Sequence, residues 1–361
     1  LIDNSIAIVL LDLSTFDGEI VINSTDTITA TSVVSNNDSD NDNNDIILTA
    51  TGSSSDILVT AITAVGNADV ILTADDGILD TATDGNRITA DDLQLTSSSA
   101  GLTADGIEVD TDVNSITAEV NTNAGGIHID EVDSVTLTQL TTFDGFITVN
   151  AAGTINAVNI NSVNSSASDI NNGIALTATG VDSDILVTTL NAQNTADISL
   201  NSARDVLDSD SSDSNLTTGD LLTIVAGRNV GGVTNVFTEA GFDPLQTTVD
   251  HMDITSGNFI TLHNLNTTPE LLNLDAGTVS AGTTFIKVTG GALDVSTTTG
   301  ISNTQDTIAL VSDDSITVPT GLQTGNLRLD APIINDAGGG DIDINAVDAI
   351  LFQSQSAETV K

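Results

Sequence analysis

The sequence predicts an all-β fold, a parallel β-helix (β-solenoid) with coils of roughly 20–28 residues. Three observations carry this. The residues that build helices are scarce, a long segment occurs twice, and a shorter strand-and-turn period runs inside both copies.

Composition comes first. The chain has 361 residues, with 51 Asp and Glu against 6 Lys and Arg, a formal net charge of −45. Only seven of the acids are Glu, the helix former. The rest are Asp, whose short side chain hydrogen-bonds nearby backbone and favours turns. Thr, Val and Ile are abundant and suit strands. Apolar residues make up 39% and the mean hydropathy is +0.16, too apolar for a disordered acidic chain. The charge disfavours nucleic acid and anionic lipid as partners. The absence of Cys excludes disulfides, thiolate metal sites and a Cys nucleophile. No apolar run approaches the ~18 residues of a membrane-spanning helix.

The long repeat follows. Leu13-Ser-Thr-Phe-Asp-Gly18 returns as Leu140-Thr-Thr-Phe-Asp-Gly145. After one inserted residue, Asn44–Gly52 (NDIILTATG) returns as Asn172–Gly180 (NGIALTATG), and SDILVT at 55–60 returns at 183–188. Residues 44–80 and 172–208 share 19 of 37 positions. Strand-like blocks begin near Ile20, Ile46, Val70 and Leu93, and again near Ile127, Ile147, Ile174, Ile198 and Leu222. Each alternates with period two. Ile46, Leu48 and Ala50 are matched by Ile174, Leu176 and Ala178, whereas the opposite face changes from Ile47 to Ala175. The face that stays apolar is the predicted interior.

A unit of about 24 residues with two or three short strands and Gly, Asn or Asp corners is the size of one solenoid turn. Such a turn buries its aliphatic face only against the next one. A string of β-sandwiches is the competing architecture. It would use core Trp and Tyr, which are absent, and would lack the nested period.

Blocks such as Asp144-GFITVNAAG, Asn172-GIALTATG and Gly125-GIHIDEVDSVTL resemble the haemagglutinin-type repeats of large bacterial exoproteins, of which filamentous-haemagglutinin-like adhesins are the nearest family. Pro244-LQTTVDHMDITSGNFITLHN is similar to a recurring segment of giant proteins of this kind. The resemblance implies a right-handed parallel β-helix, secreted and displayed at or beyond the cell surface.

Along the chain, the first copy is read as 1–139, the second as 140–270, and a degenerate third section as 271–361. The second carries an irregular insert near 228–256, with Gly231-Gly232, Pro244, His251 and Met252, expected to project as a loop. All four Pro lie after residue 240, where the ladder is expected to be less regular.

Two Asp clusters are the strongest chemical candidates. Asp38, Asp40, Asp42 and Asp45 carry carboxylates in the alternating pattern of oxygen-ligand Ca²⁺ loops, and Asp208, Asp210 and Asp213 form a shorter version. The sixth position after Asp38 is Asn43 rather than Gly, which departs from the EF-hand loop. These clusters read as solvated turns, as Asn/Asp ladders between coils, or as Ca²⁺ sites; no cofactor is required. His128, between Ile127 and Ile129, is expected to face solvent; His251 beside Asp250 and Asp253 has no partner in sequence. No phosphate-binding glycine loop and no GxSxG elbow occurs.

The expected function is structural and non-catalytic. The chain is read as a stiff acidic rod, extracellular or at the cell surface, serving as adhesin shaft, sheath or filament subunit and associating with itself. The alternatives are a glycan- or protein-binding adhesin module acting through the 228–256 insert, and a polysaccharide-degrading β-helix enzyme.

Overall fold

The computed structural model describes residues 2–36, 44–80, 87–98, 105–121, 125–163, 172–209, 216–232, 243–265, 271–274, 279–280, 282–295, 303–318, 322–336, 344–353 and 359–360. The described residues form strands joined by turns and bends, with no helix among them and so no helix long and apolar enough to cross a membrane. The strands pair in parallel, as successive turns of a β-solenoid with coils near 24 residues. Two compact units are present: Leu1–Gly180 with Ala192–Ala196, and Val181–Asn191 with Asp197–Lys361.

In the first unit each coil contributes strands to three faces. The first face carries the predicted blocks: Ile20, Ile46, Val70 and Leu93 sit in register, one above the next. Beside them runs a second column, Ile2–Ile22–Leu48–Leu72–Leu95–Ala118–Leu140–Ile160. The second face carries eight isoleucines in one column, Ile8–Ile28–Ile57–Ile78–Ile107–Ile127–Ile147–Ile174. The last seven are buried. β-Branched side chains have one strongly preferred rotamer, so like stacks on like without strain. Full burial contributes about 1.5–3 kcal/mol per side chain, which is what holds one coil on the next.

The third face begins as Leu13–Val33–Ile62–Ile88 and then changes character, continuing Thr111–Glu131–Ala151–Ala178. The change coincides with a reorganisation of the coil. The corner between second and third faces disappears, and Asp105–Val120 runs across it as one strand. One layer on, a register shift after Ile116 leaves Thr138 as an extra residue in Val135–Phe143. In the following coil that point has opened into a corner, separating Ile155–Ala157 from Ile160–Val163. One face has fused with its neighbour and another has split. The second long-repeat copy is therefore set on the solenoid turned by one face relative to the first.

The repeated motif has a local cause. Thr15 Oγ1 and Ser35 Oγ both donate to the Gly18 carbonyl, at 2.7 and 3.2 Å. Thr142 Oγ1 and Ser162 Oγ do the same to the Gly145 carbonyl, at 2.6 and 3.1 Å. The hydroxyls of two consecutive coils thus satisfy one corner carbonyl. Gly145 is needed because a Cβ there would lie 1.9 Å from the Gly125 carbonyl oxygen of the adjacent coil.

In the second unit the interior is again aliphatic, with Leu245–Leu262–Ile286–Leu310–Leu329 as one column. Much of the predicted 228–256 insert is ladder: Asn229–Val230, Leu245–Thr248 and His251–Ser256 are strands, and Met252 stacks on Leu222 inside. Residues 233–242 lie outside the described residues. Beyond residue 280 the outward side of the sheet is buried too: Phe285, Ala309 and Arg328 stack in register with at most 4% exposure.

Candidate functional site

Of the predicted cation ligands, Asp38, Asp40, Asp42, Asp210 and Asp213 lie outside the described residues; Asp45 and Asp208 are described. Asp45 immediately precedes Ile46 at a coil corner, and register places Asp69, Asp92 and Ser115 in the same corner of the next three coils. Asp45 Oδ1 accepts the Asp69 amide at 2.9 Å, and Asp69 Oδ1 accepts the Asp92 amide at 3.2 Å. The Ser115 hydroxyl then donates to Asp92 Oδ1 at 2.6 Å. This is the hydrogen-bonded ladder, with one oxygen of each carboxylate held by the coil above. Burial raises the Asp69 pKa above its ordinary value; the Asp92 amide opposes this, and the charges of Asp45, Asp92 and Asp91 reinforce it. Asp208 ends the strand Asp205–Asp208, opposite Val187.

The second unit has its own corner ladder, reinforced by cations. Asp184 Oδ1 accepts the Asp205 amide at 3.1 Å, and Asp205 Oδ1 accepts the Asn229 amide at 2.9 Å and its Nδ2 at 2.7 Å. Asn258 Nδ2 continues the ladder to Asn229 Oδ1 at 2.8 Å. The Arg204 guanidinium forks onto Asp184, and that of Arg228 onto Asp205. Asp205 is 2% exposed, so these partners supply what water cannot.

The cluster that sequence reasoning missed surrounds Glu131. Counting by two from Ile127 and Ile129 points Glu131 inward, and it is 4% exposed in the third-face column. One oxygen accepts the Thr111 hydroxyl at 2.8 Å and the Val113 amide at 3.2 Å. The other accepts the amides of Val132 and Asp133, at 2.9 and 3.2 Å. Burial nevertheless raises the Glu131 pKa, with the Asp133 charge adding to it and the Thr111, Asp133 and Val113 donors opposing it. Asp112 and Asp133 bring one carboxylate oxygen each within 4.8 Å of a Glu131 oxygen, and Arg87 Nη1 lies 3.4 Å from Asp112 Oδ2. Three carboxylates could anchor a divalent cation, well short of the six to eight oxygens Ca²⁺ takes. Within the protein Glu131 satisfies backbone amides where the second and third faces fuse, and Asp112 pairs with Arg87.

Among the described residues each Arg reaches an Asp carboxylate: Arg87 to Asp112, Arg204 to Asp184, Arg228 to Asp205 and Arg328 to Asp330. His128 is half-buried between Ile127 and Ile129, with Nε2 3.7 Å from Asp130 Oδ1. His251 lies in register with Leu221, and His263 Nε2 meets Thr289 Oγ1 at 2.9 Å. The described residues thus bring together the Asp ladders and the Glu131 cluster, and leave the three His apart. Comparison with protein families, curated proteins and solved structures finds no match for this chain.

Proposed function

We propose that this chain is a non-catalytic structural segment of an extracellular or cell-surface repeat protein, a stiff acidic rod that serves as adhesin shaft, sheath or filament subunit. The observation that carries the reading is where the ionic and aliphatic groups go: both are used between one coil and the next. Isoleucine columns join coils inside, and Asp, Asn and Arg ladders join them at the corners. The arginines that a polyanionic glycan would need are each held on an intramolecular carboxylate. The outward excess of negative charge keeps such a surface soluble in saline surroundings and disfavours close approach of copies until ions screen it. The resemblance to haemagglutinin-type repeats agrees with surface display.

Imaging by negative-stain microscopy tests the reading, together with turnover assays on neutral and uronate polysaccharides. Unbranched rods or filaments with no turnover are expected. Hydrolysis or elimination that disappears on a single Asp→Asn substitution would replace the structural reading with the enzyme one.

A further inference from the structure

The first unit carries a cavity of about 360 Å³ on the outward side of its first face, lined by residues of four consecutive coils. Ile71, Gln94 and Thr117 are register neighbours along its floor. Thr117 is the short member between Gln94 and Gln139, and the extra residue Thr138 stands at the far end. Asp69, Asp92 and Ser115 form the corner wall, one from each coil, with layers about 4.8 Å apart.

This corner differs from its counterpart in the second unit in having no cation on its carboxylates. Asp184 and Asp205 accept amides from the next coil in the same manner, and each also carries an arginine guanidinium. Asp69 and Asp92 accept the Asp92 amide and the Ser115 hydroxyl on Oδ1, at 3.2 and 2.6 Å. Oδ2 of each makes no hydrogen bond or ion pair with another described residue, and no Lys, Arg or His lines the cavity. Burial raises the Asp69 pKa against the Asp92 amide, and the charges of Asp45, Asp92 and Asp91 add to it, so the site attracts positive charge. The side chains of Gln94, Thr117 and Thr138 likewise hold no hydrogen bond with another described residue. The corner carboxylates are thus held in place by one oxygen and open to a ligand at the other.

We propose that this cavity binds the ring of an amino sugar that carries a free ammonium. The ammonium sits between Asp69 and Asp92, whose open oxygens take two of its N–H donors in charge-assisted hydrogen bonds. Ring hydroxyls meet Gln94, Thr117 and Thr138, which offer both donors and acceptors, and the apolar edge of the ring lies on Ile71. The volume admits one pyranose and is at the small end of ligand cavities. A bare metal ion would use the carboxylates and leave the neutral groups idle. A neutral sugar would leave the two charges unmatched, and a chain of net charge −45 repels an anionic one.

Calorimetric titration of the intact chain with glucosamine tests this, in saline buffer at a pH where the amine is charged. N-acetylglucosamine, glucose and methylammonium are the controls. Saturable binding at about millimolar Kd is expected, and each control is weaker by about tenfold or more. Asp92→Asn, at an exposed position, keeps the Oδ1 acceptor for Ser115 and lowers affinity by about tenfold with an unchanged unfolding midpoint. Asp12→Asn removes the same charge from an exposed corner of the first coil and leaves affinity unchanged. The β1,4-linked glucosamine disaccharide binds at least as tightly as glucosamine if the ring arrives as a glycan end, and less tightly if it arrives as a free sugar. Absence of saturation, N-acetylglucosamine or methylammonium binding as tightly as glucosamine, or equal losses in Asp92→Asn and Asp12→Asn would each overturn the assignment.

Discussion

Ile46 and Ile174 occupy the same position in the two copies of the long repeat, yet they lie in different columns of the solenoid. Ile46 stacks on Ile20 and Val70 in the first face, whereas Ile174 stacks on Ile147 in the second. Leu13 and Leu140, equivalent in the repeated motif, are displaced in the same sense: Leu13 lies under Val33 in the third face, and Leu140 pairs with Ala118 and Ile160 in the first. The two copies share strands of equal length, such as Ile46–Ala50 and Ile174–Ala178, but not their azimuth. The extra residue at Thr138 and the uninterrupted strand Asp105–Val120 absorb the rotation.

The inward columns carry most of the stability. Ile127→Ala removes buried methyl groups between Ile107 and Ile147 and is expected to cost about 2–5 kcal/mol in chemical denaturation. Thr148→Ala, on the outward side of the neighbouring strand, is expected to stay within about 0.5 kcal/mol. Equal effects at the two positions would mean that the alternation does not divide core from solvent.

Removing Glu131 leaves buried donors without an acceptor. Glu131→Ala strands the Thr111 hydroxyl and the Val113, Val132 and Asp133 amides, at a cost of about 1–3 kcal/mol. Glu131→Gln retains one acceptor oxygen and is expected to lose less. Urea midpoints of the two variants against the parent give the comparison.

Acidification should stabilise the fold. Glu131 and Asp69 have folded pKa values raised above the ordinary 4.5 and 3.8, so the folded chain holds their protons more tightly than the unfolded chain does. Their contribution is complete below the ordinary values and is lost as pH rises through the raised ones. Asp112 and Asp133 face Glu131 and oppose its charge, while Arg87 sits on Asp112. The melting temperature is therefore expected to rise as pH falls from 7 toward 4.5, with a shallower slope in Glu131→Gln. A slope unchanged by that substitution would remove Glu131 from the effect.

Ionic screening should act in the same direction. With 51 acidic groups against 6 basic ones, added sodium chloride is expected to raise the melting temperature, most steeply at low concentration. At matched ionic strength we expect calcium to raise it by a few degrees more, through the carboxylates of Asp38–Asp45 and Asp208–Asp213. A chelator without effect at constant ionic strength would leave those clusters as turns and ladder rungs.

The corner ladder of the second unit predicts an asymmetric pair of variants. Asp205→Ala strands the Asn229 amide and side chain at a buried corner, for about 1–3 kcal/mol. Arg228→Ala, removing a half-exposed guanidinium, should cost much less. Denaturant midpoints read both.

Fold and interior were readable because period two is local: Ile46, Leu48 and Ala50 announce their face without knowledge of any neighbour. The same rule, carried two residues past Ile129, reaches Glu131, and only the habit of reading Glu as exposed hides it. The ladders Asp45–Asp69–Asp92 and Asp184–Asp205–Asn229 depend on which residue lies one coil away, and that is set by the length of each corner. Turn lengths vary from coil to coil, so the Asp spacing in sequence does not reveal the stacking. The rotation between copies is hidden for the same reason: Thr138 is one residue among many Thr, and its effect appears only in the register of the next coil.

Cross-coil register is the central claim, and a Cys-free chain allows it to be read with introduced disulfides. Thr148 and Ala175 are outward register partners on adjacent coils, whereas Thr177 lies one outward position further along. Thr148→Cys with Ala175→Cys is expected to oxidise to an intramolecular disulfide, because neighbouring strands bring such pairs within about 4.4–6.8 Å between Cα atoms. Thr148→Cys with Thr177→Cys is expected to remain reduced under the same mild conditions. Bridging of the second pair and not the first, or of neither, would contradict the stacked-coil account.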